Sequence, residues 1–112
     1  MIIASYKIKV LPEEHHYALK TVRAILGPTG VKPGCMGIVL YQDTSNLDSL
    51  ILVEHWDSRK DFEHHVRSDD YRNILALIDL SKEPPVIQLN TISLTEGLDA
   101  IEAIRSGENS EG

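Results

Sequence analysis

The first ten residues alternate in character, which is typical of a strand with one buried face. One set of alternate positions is apolar throughout: Ile2, Ala4, Tyr6, Ile8 and Val10. The positions between them hold Ser5, Lys7 and Lys9, with Ile3 as the exception. Because successive side chains of a strand point to opposite faces, this segment is predicted to be a strand that packs on a core through one face.

Three later segments are also predicted to be strands. Residues 35–42 and 49–56 are rich in apolar and β-branched side chains, and the segment between them, DTSNLD, has the composition of a turn. These two strands are therefore expected to form a hairpin. Residues 86–94, VIQLNTISL, are expected to form the fourth strand.

A helix is predicted between the first two strands. Pro12 suits the first turn of a helix, and the apolar positions that follow recur at helical spacing. These positions are Leu19, Val22, Ile25 and Leu26. Gly27 and Pro28 are predicted to end the helix, which leaves residues 27–34 as a loop.

Three further helices are predicted from capping residues and apolar spacing. Ser58 and Ser68 are candidate N-caps of two consecutive short helices, and Pro84 lies beyond the second. The second of these helices is expected to carry Tyr71, Ile74, Leu75 and Ile78 inward. Ser93 and Glu96 are candidate caps of a last helix. Its apolar positions are Leu98, Ile101 and Ile104.

The predicted order β-α-β-β-α-α-β-α indicates an α+β protein with a ferredoxin-like arrangement. We expect a four-stranded antiparallel sheet with helices on one face, formed by residues 1–94. Residues 95–106 would add a C-terminal helix, and residues 107–112, which are polar, would form a disordered tail.

Apolar residues are expected on both faces of the sheet. Ile3 falls between the apolar positions of the first strand and so points to its other face. Ile87 and Leu89 are further apolar residues on the fourth strand. Since helices would cover only one face, the other is predicted to pack on a second copy of the chain. The expected assembly is a homodimer in which two sheets meet as a dimeric α+β barrel.

Composition excludes several classes of partner. The chain has 112 residues, a net charge of -6 and a pI near 5.2, and its Lys and Arg residues form no basic run. An acidic surface argues against nucleic acid or an anionic membrane as the main partner. No apolar run approaches the roughly 18 residues of a membrane span, and the single cysteine fits a cytoplasmic protein.

The segment VEHWDSRKDFEHHVRSDDY, residues 53–71, concentrates the candidate chemistry. Glu54 shares one strand face with Leu50, Leu52 and Trp56, so its carboxylate needs a partner. His65 lies at helical spacing from Phe62 and is expected to reach that face. Two interpretations remain open: a buried polar pair that fixes the helix, or an acid–base pair. Trp56 likewise could be core, or could line a pocket for a flat aromatic ligand.

Other kinds of site are not indicated. Adjacent histidines such as His64 and His65 point about 100° apart on a helix, no His-x-x-x-His motif occurs, and no metal site is expected. Cys35 begins a strand with no assured base nearby, and no dinucleotide or phosphate-loop fingerprint is present.

The same segment resembles the antibiotic biosynthesis monooxygenase family. That family typically shows Glu-x-Trp-x-Ser, a His nine residues after the Trp, and an aromatic residue six further on. The corresponding residues here are Glu54, Trp56, Ser58, His65 and Tyr71. The order of elements agrees with the family over residues 2–94.

The resemblance implies a dimeric barrel with a pocket between sheet and helices. Many members of the family oxidise phenols, quinols or related aromatics with O2 and without metal or flavin, so no cofactor is expected. By this resemblance, His65 or Glu54 would handle a phenolic proton, and Tyr41 or Tyr71 could donate a hydrogen bond to a ketone-like oxygen. The expected substrate-contacting residues are Trp56, Tyr6, Tyr41, Phe62 and Tyr71.

Two branches of the family fit less well. Haem-degrading relatives use an Asn, a Trp and a His at positions that align here with Tyr6, Trp56 and Leu75, and leucine cannot ligate iron. An isomerase branch acts on phosphorylated sugars, for which Lys7, Lys9 and Arg23 could contribute contacts.

The sequence predicts a cofactor-independent monooxygenase acting on a small aromatic, phenol or quinol. The alternatives are a non-catalytic dimeric module that binds a small ligand, and an isomerase that uses the same pocket.

Overall fold

The computed structural model describes residues 1–107 and contains one antiparallel sheet with the strand order β2-β3-β1-β4. The strands are β1 (Ile2–Lys9), β2 (Cys35–Gln42), β3 (Ser49–Trp56) and β4 (Val86–Thr91). The helices are α1 (His15–Gly30), α2 (Arg59–Arg67), α3 (Arg72–Asp79) and α4 (Leu98–Ser106), with 3-10 turns at Pro12–Glu14 and Asp69–Tyr71. The predicted ferredoxin-like α+β fold is confirmed. The predicted tail lies, from residue 108 onward, outside the described residues.

One face of the sheet is covered by helices and forms the core. The alternation in β1 has the predicted effect, because its even-numbered residues are buried. β3 contributes Leu50, Leu52 and Trp56 to the same face. The helices complete the core with Ala18, Val22, Ile25, Phe62, Ile74 and Leu77.

The other face of the sheet, called here the open face, is not covered by any described element. Cross-strand pairing places Val53 of β3 beside Val39 of β2 and Ser5 of β1, and Ile51 beside Tyr41 and Lys7. The side chains of Val39 and Tyr41 are 44% and 54% exposed. The open face is thus apolar at its centre and polar toward β1.

Helix α1 continues past the position where the sequence predicted its end. Pro28 lies inside the last turn, and the helix reaches Gly30. A proline removes one N–H and therefore one bond to the carbonyl four residues earlier. Thr29 is buried against the core, and this packing keeps the final turn helical. The predicted end at Gly27 and Pro28 is therefore wrong, and the loop is limited to residues 31–34.

The last two helices also differ from expectation. In α3, Ile74 and Leu77 are three residues apart on one face and are buried, whereas Leu75 lies about 100° around the helix from Ile74 and is half-exposed. β4 ends at Thr91, and α4 begins after Gly97 without a side-chain cap, so Ser93 and Glu96 are not caps. The apolar side chains of α4 are exposed: Leu98, Ile101 and Ile104.

Among residues 1–107, no helix is long and apolar enough to cross a membrane. The predicted cytoplasmic location stays a prediction.

Candidate functional site

The candidate site lies between the covered face of the sheet and α2. Glu54 is on β3, beside Tyr6 of β1 on the same face, since Tyr6 pairs with Leu52 and Ala4 with Glu54. The Ser58 hydroxyl accepts a hydrogen bond from the Asp61 N–H and caps α2 as predicted. With α2 begun there, Phe62 and His65 face the sheet and are buried.

Glu54 and His65 form the predicted contact. The distance from His65 Nε2 to Glu54 Oε2 is 2.7 Å, and the side chains are 1% and 0% exposed. The Tyr6 hydroxyl donates to the other oxygen, Glu54 Oε1, at 2.9 Å. Because both oxygens accept a hydrogen bond, the carboxylate is satisfied away from water.

A second phenol, that of Tyr71, extends this network. The hydroxyl oxygens of Tyr6 and Tyr71 are 3.0 Å apart. Since the Tyr6 proton is donated to Glu54, the Tyr71 hydroxyl is the donor between the two. Burial, together with the Glu54 charge, raises the pKa of Tyr6 far above its usual range, and burial raises the pKa of Tyr71. Both phenols therefore remain protonated donors.

The outer side of His65 contacts a lysine that the sequence did not single out. Lys32 Nζ lies 2.9 Å from His65 Nδ1, 2.8 Å from Ser68 Oγ and 2.6 Å from Asp70 Oδ1. The Lys32 ammonium and the Ser68 hydroxyl hold the pKa of the Asp70 carboxyl below its usual range. Lys32 belongs to the loop after α1, so no periodic pattern could have connected it with His65.

A glycine makes this loop possible. Gly34 has φ +83°, in the left-handed region, and a Cβ there would collide with the Asp61 carboxylate. Its carbonyl accepts from the Asp57 N–H at 2.8 Å. The close approach joins the Lys32 loop to the start of α2.

Trp56 packs flat against His65. The two ring centroids are 4.6 Å apart with an interplanar angle of 26°, and Phe62 meets Trp56 edge-on at 6.4 Å. Trp56 is fully buried, yet its Nε1 has no hydrogen-bond partner among the described residues. A buried N–H without an acceptor is costly, so an acceptor that joins it would gain binding energy.

A small cleft opens beside this stack. Its volume is about 150 Å³. It is lined by Lys32, Pro33, Trp56, Asp61, His64, His65 and Ser68. The walls combine an aromatic surface with one ammonium, two imidazoles and a carboxylate. A larger cleft of about 230 Å³ lies elsewhere, around Lys7, Lys9 and Glu83, and contains no aromatic side chain.

The predicted site residues are only partly brought together. Glu54, His65, Trp56, Tyr6, Phe62 and Tyr71 form one cluster, but of these only His65 and Trp56 line the cleft. Tyr41 pairs with Ile51 on the open face and is outside the cluster. Its predicted contact with a substrate in this cleft does not fit that placement.

Other candidates lie away from the cluster. Lys7 and Lys9 are on the opposite face of β1 from Tyr6, and Lys9 pairs with Glu83 at 3.4 Å. Burial raises the pKa of the Cys35 thiol, which disfavours the reactive thiolate. In the part of the chain that the structure describes, no three His, Cys, Asp or Glu side chains are grouped to hold a metal ion.

The chain thus combines a ferredoxin-like sheet with a Glu–His pair and a stacked Trp beneath α2. The family model of the antibiotic biosynthesis monooxygenases matches residues 1–77, from β1 through most of α3. The chain belongs to this family, whose members are often dimeric.

Known relatives are distant in sequence and similar in fold. The uncharacterized protein sll1783 from Synechocystis is 24% identical over 98 residues, which cover 87% of this chain and 67% of the relative. Rv0793 from Mycobacterium tuberculosis has a TM-score of 0.75 and 23% identity, covering 86% of this chain and 97% of that one. A conserved protein from Methanosarcina mazei has a TM-score of 0.74 and 23% identity, covering 80% of this chain and 89% of that one.

Proposed function

We propose that this protein is a cofactor-independent monooxygenase that oxidises a small phenol or quinol with O2. The observation that carries the proposal is the cleft lined by Trp56 and His65, next to which the Trp56 N–H is buried without a partner among the described residues. A phenolic or quinone oxygen that entered beside Trp56 would give that N–H an acceptor, and its ring would then pack near the indole. Family membership supports the same reaction class.

The size of the cleft favours a single-ring substrate. Its volume of about 150 Å³ is similar to that of an engineered apolar cavity in another protein, about 150 Å³, that binds benzene. Polycyclic phenols would need the cleft to open. The expected substrates are therefore one-ring quinols rather than anthrone-like molecules.

The proposed reaction is balanced without an added reductant. A hydroquinone and O2 would give a hydroxyquinone and water. One oxygen atom forms the new C–O bond, the other leaves as water, and the quinol loses the four electrons that reduce O2. The protein would bind the ring, remove a phenolic proton and exclude water from the anion that meets oxygen.

His65 and Glu54 are suited to handle the proton. Glu54 holds Nε2 at 2.7 Å and would stabilise the ring when His65 gains a second proton. The other ring nitrogen, Nδ1, lies 2.9 Å from the ammonium of Lys32, and both residues line the cleft. His65 Nδ1 is thus the proposed base, and Glu54 orients it.

Oxygen uptake by the metal-stripped protein tests this proposal. We expect uptake with substituted hydroquinones to exceed the uncatalysed rate, and to exceed the uptake with naphthols or anthrone. Trp56→Phe, which keeps a ring but removes the N–H, should reduce turnover, whereas His16→Ala on the exposed side of α1 should not. No uptake above the uncatalysed rate with any of these substrates would refute the monooxygenase.

A non-catalytic module that binds a small aromatic is the second candidate. It is favoured by the complete burial and mutual hydrogen bonding of Glu54 and His65, which is also how a structural pair looks. In that case the same hydroquinones would bind, with loss of affinity in Trp56→Phe, and no oxygen would be consumed.

We also propose that the protein works as a homodimer joined through the open face. The support is the exposed apolar surface around Val39, Tyr41 and Val53, together with the frequent dimerisation of the family. Two such sheets would cover each other's apolar centres.

A further inference from the structure

Lys32 lies between the buried Glu54–His65 pair and the protein surface. Its side chain is only 18% exposed, and its ammonium contacts His65 Nδ1, Ser68 Oγ and Asp70 Oδ1. Three N–H groups thus meet three acceptors. The Asp70 carboxylate, about one-third exposed, supplies the countercharge.

The chemistry of these groups determines where the protons lie. A lysine ammonium only donates, so His65 Nδ1 must accept and carry no proton. His65 Nε2 then holds the single ring proton and donates it to Glu54 Oε2. Tyr6 donates to Glu54 Oε1 and receives a hydrogen bond from Tyr71. The hydrogen bonds run toward Glu54 from both sides.

We infer that Lys32 is a positioning residue that keeps His65 neutral and in the Nε2–H tautomer, and that it releases Nδ1 when a ligand oxygen takes its ammonium.

Two opposing charges, those of Glu54 and Lys32, act on the His65 ring. A buried carboxylate at 2.7 Å favours a doubly protonated imidazole. The ammonium on the other nitrogen blocks the second proton both by occupying the lone pair and by repelling a positive ring. The titratable groups facing His65 are Glu54, Lys32 and Tyr71, with Asp70 behind Lys32.

The second half rests on the proposed function. Lys32 and His65 line the same cleft. When a phenol gives its proton to His65 Nδ1, the O–H bond breaks and an N–H bond forms, leaving a phenolate and an imidazolium. The phenolate would pair with Lys32 and the imidazolium with Glu54, so each new charge has a partner. The substrate class is therefore an acidic phenol, which is held as its anion once it has given up its proton.

Nitrogen-15 NMR of the histidine rings tests the first half without any turnover. At pH 7, wild-type His65 should show one protonated nitrogen, Nε2, and one unprotonated nitrogen. Lys32→Met should lose that signature and show both nitrogens protonated. A wild-type ring that is already doubly protonated, or that carries its proton on Nδ1, would overturn the inference.

Matched variants separate positioning from simple loss of structure. Lys32→Arg retains a cationic donor and should restore the one-proton signature. Lys7→Met removes a lysine from the opposite face of β1 and should leave the His65 signals unchanged. If Lys32→Arg and Lys32→Met both fold and give the same spectrum as wild type, Lys32 does not set the tautomer.

The second half is tested with 4-nitrophenol, whose colour reports its ionisation. We expect wild type to bind the phenolate form, and Lys32→Met to bind it about 10-fold or more weakly, as for loss of a charge-assisted hydrogen bond. Equal binding by both would refute the role of Lys32 toward ligand. If oxygen uptake is absent while the NMR and binding results are as expected, the monooxygenase function is refuted and the role of Lys32 is not.

Discussion

The covered face of this sheet buries polar side chains, whereas the open face exposes apolar ones. The covered face buries a carboxylate, an imidazole and two phenols, each hydrogen-bonded to another. The open face exposes apolar side chains such as Val39 and Tyr41. Buried polar groups are costly unless each has a hydrogen-bond partner, and large exposed apolar patches are uncommon on monomeric proteins. The partnered cluster on the first face therefore indicates chemistry or specificity, and the apolar surface of the second indicates association.

The contrast predicts that the two faces can be perturbed separately. Changes in the buried cluster should alter folding stability and proton transfer within one chain. Changes on the open face should alter the oligomeric state while the cluster remains intact.

Removing the imidazole from the cluster should have the largest effect. His65→Ala leaves the Glu54 carboxylate buried without its main partner, which is expected to cost about 3–5 kcal/mol in the free energy of unfolding. Urea denaturation measures this. The neighbouring His64 is exposed, so His64→Ala should change stability by about 0.5 kcal/mol or less. Equal costs for the two adjacent histidines would contradict the assignment.

A charge at the centre of the open face should weaken the proposed dimer. Val53→Asp would place a carboxylate between Val39 and Ser5, and we expect a dissociation constant at least about 10-fold higher, or about 1.4 kcal/mol. Light scattering over a dilution series gives the measurement. Leu47→Asp, in the exposed turn between β2 and β3, is the control. A wild-type protein that is monomeric at micromolar concentration would refute the dimer itself.

Alkaline pH should destabilise the buried cluster through its phenols. The pKa of Tyr6 is raised in the folded chain, whereas in the unfolded chain it has its ordinary value of 10.0. Unfolding then releases a proton above pH 10, so stability is full below that pH and falls as the pH rises, by about 1.4 kcal/mol per pH unit for one phenol. Thermal unfolding of Tyr6→Phe should depend less on pH in this range. Tyr17→Phe, at an exposed position, should behave as wild type.

Asp70, at the outer end of the network, should contribute least to the free energy of unfolding. Asp70 has a lowered pKa but is about one-third exposed, so Asp70→Asn should cost less than about 1 kcal/mol at neutral pH. A lowered pKa stabilises the fold above the unfolded value of 3.8, and this contribution is lost as the pH falls through the folded value. The difference between variant and wild type should therefore vanish in acid. A difference that persists there would mean that Asp70 acts by packing.

The parts of this fold that the sequence predicted are those controlled by local pattern. The alternation in β1 and the capping Ser58 correctly indicated a strand face and the start of α2. Helix α1 was predicted too short because tertiary packing of Thr29 outweighs the local preference of Gly27 and Pro28. Leu75 was assigned inward because its spacing from Tyr71 is helical, whereas Tyr71 belongs to a 3-10 turn.

The candidate site was predicted where its residues lie on elements close in sequence or where the family resemblance named them, as for Tyr6. Glu54 and His65 are 11 positions apart on consecutive elements, and their contact is confirmed. Lys32 lies 33 positions from His65 in an irregular loop, and only the folded chain brings the two together. Tyr41 was included through the family resemblance, as a possible hydrogen-bond donor to a substrate oxygen, but its place in the register of β2 turns it to the open face.

The most direct test of the central claim uses the single tryptophan of the chain, Trp56. Its indole N–H gives one signal in a proton–nitrogen NMR spectrum. Titration with phenol or hydroquinone under argon should shift that signal to saturation, because a ligand oxygen supplies the acceptor that the buried N–H lacks. An indole signal that stays unchanged while the ligand is in large excess would contradict the claim that this cleft is the binding site.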